Sequence, residues 1–360
     1  MINKLKKNKK KIAIYLVIII IAFLIGYLPT GYYCMMPGNI ISLNEMVEVN
    51  SINSNNSFNM TTVSVIKASL PVLVFGKIAP NVRVEPEGRV IPEGWTEKEY
   101  NIYSQYLMTN SHNNAKLAVA NYLGIDYIEI NQEPYILRVV KGGPSYGMLK
   151  SGDIIVSIND KKIDNVDDAK KTIGMHKPDE KIDIVIERND GEIVTEQIVL
   201  GQTDEGDALL GVNIITKDKE VILQGYDINI KTGSITGPSA GAMISMELLN
   251  KIGEIEIPEG VLVAGTGTIS ADGKIGSIGG INQKIVTAFR KGINVYFMPK
   301  GNIDDISIDL HKYEDMEIVY VDNISQIIDF IADLKNDPDS GLFFYYYRIN
   351  KVLSAHKSSP

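Results

Sequence analysis

Hydrophobic positions change their spacing several times along the chain, and each change predicts a different kind of element. Residues 12–28 read IAIYLVIIIIAFLIGYL and contain no charge. Short apolar runs such as IDYIEI and KIDIVIER predict strands in the middle of the chain. Further on, apolar residues recur at helical spacing over 240–249, 281–291 and 324–334. The pattern predicts an apolar N-terminal helix, a small β-rich region and a C-terminal region that mixes helices and strands.

The N-terminal apolar run predicts a membrane anchor. In a helix that rises about 1.5 Å per residue it approaches the thickness of a hydrocarbon core, and Tyr32 and Tyr33 follow as interfacial residues. The first 11 residues carry six Lys and no acid, which predicts that this end is cytoplasmic. No small-residue cleavage site follows, and Cys34 is interpreted as an interfacial residue. We therefore expect a single-pass cell-membrane protein, anchored by residues 12–30, with the rest of the chain extracytoplasmic.

Composition and charge exclude several classes of partner and site. The chain has 360 residues, 44% apolar and 22% charged, which is typical of two or three folded domains. Beyond the first 11 residues, 30 basic residues face 44 acidic ones, and this excess of acid argues against nucleic acid as a partner. The single Cys excludes an internal disulfide and a multi-cysteine zinc site. Neither a metal nor an organic cofactor is expected.

Residues 125–201 read as short strands with a helix over 166–175. Within them the run LKSGDII, Leu149–Ile155, resembles the LKxGDxI signature of PDZ domains. The resemblance implies a groove that binds an exposed or C-terminal peptide strand by β-addition. The loop that holds the peptide carboxylate in such domains corresponds to Tyr122, Leu123, Gly124 and Ile125. An ordinary strand start is the alternative interpretation of this tetrapeptide.

The segment TGPSAG places Ser239 between small residues at the start of a predicted helix. Small neighbours let a substrate backbone approach, and a helix N-terminus offers unpaired N–H groups to a forming oxyanion. The residues expected to support such a loop are Gly237, Pro238, Ala240 and Gly241. A serine that caps a helix is the commoner use of this position, so the segment alone does not favour catalysis.

A second segment changes that balance in favour of catalysis. Lys284 lies at the margin of an apolar stripe, three residues after Ile281 and four before Ala288. Desolvation lowers the pKa of a lysine, and a neutral amine can take a proton from a serine hydroxyl. The alternative is a lysine whose stem packs on the core and whose amine reaches water.

Three motifs, GPSAG, AGTGTISADGKIGSIGGINQK and VYFMPKGN, resemble the proteolytic domain of Lon proteases over roughly residues 205–335. The resemblance implies a serine endopeptidase domain in which Ser239 and Lys284 form a dyad and Thr266 helps to position it. With the anchor and the PDZ-like region, the whole chain resembles membrane-anchored PDZ–Lon peptidases. The chain departs from soluble Lon proteases at Thr236, which stands where those proteins carry an acid. The sequence GxxxxGK[ST] is absent, so ATP-independent cleavage is expected.

These observations together predict an α+β multidomain chain with an N-terminal transmembrane helix, a β-rich PDZ-like domain and an α+β Lon-type proteolytic domain. The predicted units are a cytoplasmic tail (1–11), the anchor (12–30), an extracytoplasmic connecting region (31–120), the PDZ-like domain (121–203), the proteolytic domain (204–335) and a C-terminal tail (336–360). The expected substrates are extracytoplasmic peptides or membrane and secreted proteins. Because Lon-type domains usually form rings, the resemblance also implies a homo-oligomer.

Two other interpretations stay open. GPSAG also fits G-x-S-x-G, the nucleophile turn of α/β-hydrolases, although the preceding NIKTGSIT is too polar for the buried strand that this turn requires. The candidate partners in such a triad are His311 or His356 with Asp272, Asp304 or Asp309. The remaining alternative is an anchored PDZ scaffold without catalysis. Replacing each His singly distinguishes the two mechanisms, because a Ser–Lys enzyme would keep its activity in every case.

Overall fold

The computed structural model describes residues 11, 14–17, 26, 28–50, 56–130, 132–217 and 219–336. The basic tail predicted over residues 1–11 and the C-terminal tail predicted over 336–360 lie almost wholly outside these residues. The aromatic cluster at 343–347 is part of that C-terminal tail.

The described residues form strands and helices that we number in chain order. The strands are β1 (Pro29–Ser42), β2 (Val47–Val49), β3 (Asn59–Ser69), β4 (Arg83–Pro86), β5 (Tyr127–Ile130), β6 (Glu133–Val139), β7 (Ile154–Ile158), β8 (Lys161–Lys162), β9 (Lys181–Glu187), β10 (Ile193–Val199), β11 (Gly201–Gln202), β12 (Ala208–Leu209), β13 (Val212–Lys217), β14 (Glu220–Leu223), β15 (Ile228–Ile230), β16 (Val263–Gly265), β17 (Thr268–Ile269), β18 (Ile275–Gly276), β19 (Val295–Pro299) and β20 (Glu317–Val321). The helices are α1 (Leu70–Ile78), α2 (Glu87–Val90), α3 (Glu97–Leu123), α4 (Val166–Ile173), α5 (Gly241–Ile252), α6 (Ile281–Arg290) and α7 (Ile324–Asn336), and short 3-10 helices cover Lys300–Asp305 and Leu310–Tyr313.

One six-stranded sheet, in the order β20-β19-β16-β3-β1-β4, organises the main unit, which comprises the described residues of 28–126 and 219–336. The neighbours β20–β19, β19–β16 and β16–β3 pair in parallel, whereas β3–β1 and β1–β4 pair antiparallel. Residues 31–120, predicted to be a connecting region, therefore share one sheet with strands near the C-terminus. The PDZ-like segment is inserted between two halves of a single folded unit.

Side chains of the central parallel strands alternate between two cores on opposite faces of this sheet. Phe297 of β19 packs in the core that includes α5, and Tyr296 packs in the core that includes α6. All five residues of β19 are buried, as expected for a parallel strand covered by helices on both faces. β16 pairs with β3 only through Ala264 and Gly265, so the two strands part beyond this point. Groups from the two faces can meet where the strands part.

The sequence predicts a helix over residues 96–122 with Thr96 as its cap and Gly124 as its end, and α3 covers this range. Thr96 caps it, accepting a hydrogen bond from the Glu99 N–H while the Glu99 carboxylate accepts from the Thr96 N–H. Gly124 ends the helix with φ at +68°, a conformation that glycine adopts without strain. Ala115 and Ala118 are fully or almost fully buried, because small side chains let α3 pack closely along α5. The helix is therefore an internal element of the main unit although its sequence is largely polar.

The PDZ-like unit has a separate sheet, in the order β10-β9-β7-β6-β13, and an isoleucine-rich core of its own. The LKSGDII signature forms a tight turn before β7, in which Gly152 adopts φ of +105°. Asp153 is buried and accepts hydrogen bonds from the Lys150 N–H at 2.7 Å and from the Arg188 guanidinium at 2.6 Å. A two-stranded ribbon, β5–β6 against β13–β14, connects this unit to the main unit.

We correct the prediction of a transmembrane helix over residues 12–30. No helix in the described parts of the chain has both the length and the apolar character needed to cross a bilayer. Most of residues 12–28 lie outside the described residues, but Pro29 and Thr30 already belong to strand β1. Cys34, predicted to be interfacial, is fully buried in the same strand because it packs beneath α1. The single-pass localisation and extracytoplasmic placement inferred from that helix are corrected with it.

Candidate active site

Ser239 lies two residues before helix α5, at the end of a loop that begins after β15. Gly237 in this loop has φ of +89°, which disfavours any residue with a Cβ. Ala240, not Ser239, is the N-cap residue, and no side-chain hydrogen bond caps the helix. The Ser239 hydroxyl instead lies 2.8 Å from the Nζ of Lys284. The helix-capping alternative therefore does not describe this serine.

Lys284 reaches Ser239 from helix α6, on the opposite face of the sheet. Its side chain is buried, and its Nζ lies 2.8 Å from both the Ser239 Oγ and the Thr266 Oγ1. Burial lowers the pKa of Lys284 to about 7, because the charged amine loses its hydration. Both hydrogen-bond partners are hydroxyls, so neither supplies a negative charge that would hold the proton on the amine. A large fraction of Lys284 is therefore neutral near pH 7.

Thr266 follows directly after β16, at the point where β16 and β3 part. Its N–H donates to the carbonyl of Phe297 at 3.0 Å, which ties it to β19. Its hydroxyl donates to the Ser239 carbonyl at 3.0 Å and accepts from Lys284. With one N–H of the neutral amine directed at Thr266, the amine lone pair is free to face the Ser239 hydroxyl. Thr266 therefore forms a hydrogen bond with each member of the pair.

The main chain around Ser239 presents two N–H donors that the described residues leave without a hydrogen bond, those of Ser239 and Ala240. The Ser239 carbonyl is held by the Gly267 N–H at 2.9 Å as well as by Thr266. Among the residues predicted to support this loop, Gly237 uses its N–H on the Ser104 carbonyl at 2.9 Å, and Pro238 has none. The two free donors can stabilise an oxyanion beside Ser239.

Close packing between the nucleophile loop and its neighbours explains the glycines of this region. A Cβ at Gly265 would lie 2.7 Å from the Phe297 carbonyl oxygen, and one at Gly267 would lie 3.1 Å from the Ala242 Cβ. At Gly241 it would meet Ile269 and lie 2.6 Å from the Ser111 hydroxyl. These glycines let α5 sit directly against the chain that carries Thr266.

Gly241→Ala is expected to destabilise the protein by about 1–3 kcal/mol, because the added methyl overlaps buried neighbours. The same displacement should lower kcat by moving Ser239. Gly88→Ala is the matched control, since a Cβ there meets no atom within 4 Å. Urea unfolding and peptide cleavage of the two variants measure the difference, and equal stability would contradict this account of the packing.

The pair lies in an open cleft of about 1200 Å³. Apolar lining residues include Met35, Met60, Val63, Met108 and Ile235. Charged residues of the lining include Lys67, Arg83, Glu85, Arg89 and Glu97, and these side chains pair with one another. Much of the cleft is thus built by residues 33–108, to which the sequence assigned no role. The local patterns there indicate a strand before α1 and the start of helix α3, and they do not reveal which strands become neighbours.

The predicted PDZ carboxylate loop is found elsewhere than expected. Tyr122 and Leu123 are the last residues of α3, Gly124 is its C-cap, and Leu123 and Ile125 pack on the core of the main unit. They do not border the PDZ-like sheet, because β5 after them pairs with β14 rather than with a PDZ strand.

A second LG-containing loop borders the PDZ-like sheet instead, just before β13. The carbonyls of Leu210 and Gly211 accept from the Ser145 hydroxyl and the Val140 N–H, at 2.5 Å and 2.8 Å. The N–H groups of Leu210 and Gly211 donate no hydrogen bond within the described residues. β13 is an edge strand, and α4 packs beside it. The sequence analysis did not single out this loop, which reads LLGV at 209–212.

The described lining of the cleft contains no histidine, which removes support for a Ser–His–Asp triad. His112 lies 3.4 Å from the Thr232 hydroxyl, and burial lowers its pKa to about 4. His311 lies in an exposed 3-10 turn, and His356 lies outside the described residues.

Comparison with known proteins shows that two regions of the chain match known domain families. Residues 216–333 match the Lon protease (S16) C-terminal proteolytic domain, and residues 121–198 match the PDZ domain. An archaeal Lon protease of Pyrococcus abyssi is 30% identical over 139 residues, which cover 37% of this chain and 14% of the relative. The Lon protease of Mycoplasma pneumoniae is 35% identical over 114 residues, which cover 29% of this chain and 14% of the relative. The chain thus spans about a seventh of the length of these relatives.

Among solved structures, the PDZ domain of an SdrC-like protein from Listeria monocytogenes is similar, at 17% identity and a TM-score of 0.22, covering 24% of this chain and 88% of that chain. A PDZ domain from Listeria innocua has 20% identity and a TM-score of 0.22, covering 23% and 93%. The sequence matches are the informative ones: the chain contains a PDZ domain and a Lon-type proteolytic domain, and the latter supports a serine-type endopeptidase.

Proposed function

We propose that this protein cleaves peptide bonds with Ser239 as nucleophile, Lys284 as general base and acid, and Thr266 as the residue that orients them. The observation that carries the proposal is the buried Nζ of Lys284, 2.8 Å from both hydroxyls, with its pKa lowered to about 7. A base whose pKa lies near the working pH is neutral often enough to act and basic enough to accept a proton.

In the first half of the reaction the Lys284 amine takes the proton of the Ser239 hydroxyl, and the Oγ attacks the scissile carbonyl. The negative oxygen of the tetrahedral intermediate accepts hydrogen bonds from the N–H groups of Ser239 and Ala240. Lys284 then gives its proton to the leaving amine as the C–N bond breaks. An ester between Ser239 and the acyl half of the substrate remains.

In the second half a water molecule replaces the departed amine. Lys284 takes a proton from this water, and the resulting hydroxide attacks the ester carbonyl. Collapse of the second tetrahedral intermediate breaks the bond to Ser239, and Lys284 returns the proton to the Oγ. The carboxylic acid product leaves, and the site regains its starting protonation.

We further propose that cleavage by this site does not consume ATP. The 360 residues contain no GxxxxGK[ST] sequence that would cradle nucleotide phosphates. The cleft is open and can accept an extended chain, so short or unfolded peptides are the proposed substrates.

A fluorophosphonate probe tests the catalytic proposal, because it reacts with an activated serine and holds its phosphoryl oxygen in the oxyanion site. We expect labelling and casein cleavage without nucleotide, with the adduct mapped by mass spectrometry to Ser239. The chain offers an internal control in Ser245, whose hydroxyl is buried and donates to the Gly241 carbonyl. Failure to label Ser239, with no cleavage of casein, would instead support a non-catalytic scaffold.

We also propose that the PDZ unit recruits substrate at the loop of Leu210 and Gly211 and along the edge of β13. Free N–H groups in such a loop can bind a carboxylate, and an open strand edge can pair with a peptide backbone. The ligand class is therefore a peptide with a free C-terminus.

A peptide with a free carboxylate is expected to bind Ser239→Ala protein about tenfold tighter than its C-terminal amide, because the charged oxygens form stronger hydrogen bonds. Gly211→Ala should weaken this binding, since φ there is +77° and the added Cβ would lie 2.7 Å from Pro144 Cδ. Gly191→Ala has a similar φ of +83° but an open surrounding, so it should keep the binding. Fluorescence polarisation compares them, and equal affinity for acid and amide would contradict the assignment.

A further inference from the structure

Helix α3 touches the nucleophile loop through two hydrogen bonds to its main chain. The Ser111 hydroxyl donates to the carbonyl of Pro238 at 3.1 Å, and the Ser104 carbonyl accepts from the Gly237 N–H at 2.9 Å. These bonds connect a helix that precedes the PDZ unit with a loop that follows it. The Ser111 bond acts on the peptide group between Pro238 and Ser239, and the Ser104 bond acts on the one between Thr236 and Gly237.

We propose that Ser111 is a positioning residue that aims the Ser239 N–H into the oxyanion site, an inference that rests on the proposed function. The peptide group between Pro238 and Ser239 is planar and trans, so its carbonyl and its N–H point in opposite directions. A hydrogen bond that holds the Pro238 oxygen therefore also sets the direction of the Ser239 N–H.

The peptide group on the other side of the nucleophile is held in the same manner. The Ser239 carbonyl accepts from the Thr266 hydroxyl and from the Gly267 N–H, and this sets the direction of the Ala240 N–H. Ser111 and Thr266 therefore have the same role: Ser111 sets the direction of the Ser239 N–H, and Thr266 sets that of the Ala240 N–H. Donors that are already oriented need no reorganisation when charge develops on the substrate oxygen.

The surroundings of Ser111 make this hydrogen bond difficult to replace. Ser111 is only 3% exposed, and a Cβ added to Gly241 would lie 2.6 Å from its hydroxyl oxygen. Little room is left for water between α3 and the loop. With the hydroxyl removed, the Pro238 carbonyl would keep only the long hydrogen bond from the Gly241 N–H, at 3.5 Å, and its peptide group could turn.

Other polar side chains of α3 hold the same helix in place without touching the nucleophile loop. The Asn121 amide donates to the Ala271 carbonyl at 2.8 Å, and the buried Lys116 donates to the Val221 carbonyl at 3.0 Å. Asn121→Ala therefore removes a hydrogen bond of the same kind from the same helix. Asn121 is exposed whereas Ser111 is buried, so this variant controls for the loss of a side-chain hydrogen bond of α3, and Tm reports any loss of packing.

The experiment compares wild type, Ser111→Ala and Asn121→Ala in the full chain. We measure kcat and KM on one peptide, the affinity of a peptide boronic acid that forms a tetrahedral adduct on Ser239, and Tm. Ser111→Ala should lower kcat by about 10- to 100-fold and weaken the boronic acid by a similar factor, with KM within about twofold. Asn121→Ala should change neither kcat nor the boronic acid affinity by more than about twofold.

Several results would overturn the inference. One is an unchanged kcat in Ser111→Ala, and another is a lower kcat with full affinity for the boronic acid. A third is a loss of activity in both variants that follows Tm, which would indicate packing alone. An active wild type with any of these results refutes only the role of Ser111, whereas a wild type without Ser239-dependent cleavage refutes the proposed function as well.

Discussion

Lys284→Met is expected to abolish peptide cleavage, with kcat lowered by about 10⁴-fold or more, because loss of a dyad member removes the proton acceptor. Methionine fills a similar volume without a titratable group. Ser239→Ala should lower kcat by a similar factor, since the two residues act as a unit. Lys291→Met is the matched control: Lys291 is the exposed C-cap residue of the same helix and should keep full activity. Activity above a few per cent in Lys284→Met would exclude Lys284 as the base.

Lys284→Met should also raise the free energy of unfolding at neutral and acidic pH. An ammonium group whose pKa falls from 10.5 to about 7 on burial costs on the order of 5 kcal/mol below pH 7. Between about pH 7 and pH 10.5 the unfolded chain binds a proton that the folded protein has lost. The free energy of unfolding of the wild type should therefore rise with pH across this window, relative to Lys284→Met. Urea unfolding of both proteins at several pH values measures this difference. A difference in the free energy of unfolding that does not change with pH would contradict the lowered pKa.

Catalysis should depend strongly on pH through the same group. Because the amine must be neutral to accept a proton, kcat/KM should fall about tenfold for each pH unit below 7 and level off above about pH 8. Activity at pH 5 should then be about 50-fold below that at pH 7 and about 100-fold below the alkaline plateau. Initial rates at low substrate concentration, in buffers of constant ionic strength, give the profile. A flat profile down to pH 5 would contradict the role of Lys284.

A second group that titrates near neutrality has to be separated from Lys284. Glu247, buried on α5, has its pKa raised to about 7 by desolvation, although the Phe58 N–H and Lys251 oppose that shift. Glu247→Gln removes this titration without touching the dyad. We expect the variant to keep the midpoint of the activity profile. A midpoint that moves with Glu247→Gln would assign the pH dependence to the fold around α5 instead.

Features encoded within a few residues could be predicted from the sequence. Thr96 and Gly124 bound α3 because a capping hydroxyl and a left-handed glycine act on adjacent main-chain groups. The LKSGDII turn depends on Gly152 and Asp153, which lie next to each other. Ser239, Thr266 and Lys284 were candidates for the same reason, since each stands in a short motif.

Features that depend on distant partners could not be predicted in this way. Whether residues 31–120 connect domains or supply β1, β3 and β4 is decided by which strands pair, and strand pairing joins residues far apart in the chain. The run at 12–28 has the composition of a membrane span, but the segment that continues it enters a sheet strand at Pro29. Tyr122 and Leu123 end helix α3, and the position of this segment relative to the PDZ-like sheet depends on the pairing of β5 with β14, which a short LG motif does not reveal.

The sequence by itself determined which residues are candidates for the site and the local elements that carry them, because capping, turn formation and periodicity act between residues close in the chain. Only the tertiary structure decided that Lys284 is buried within 2.8 Å of Ser239. Only it showed that Ser111 of α3 holds the Pro238 carbonyl. These features arise where two strands part and two helices from opposite faces meet, and burial of that kind is a property of the assembled sheet and its helices.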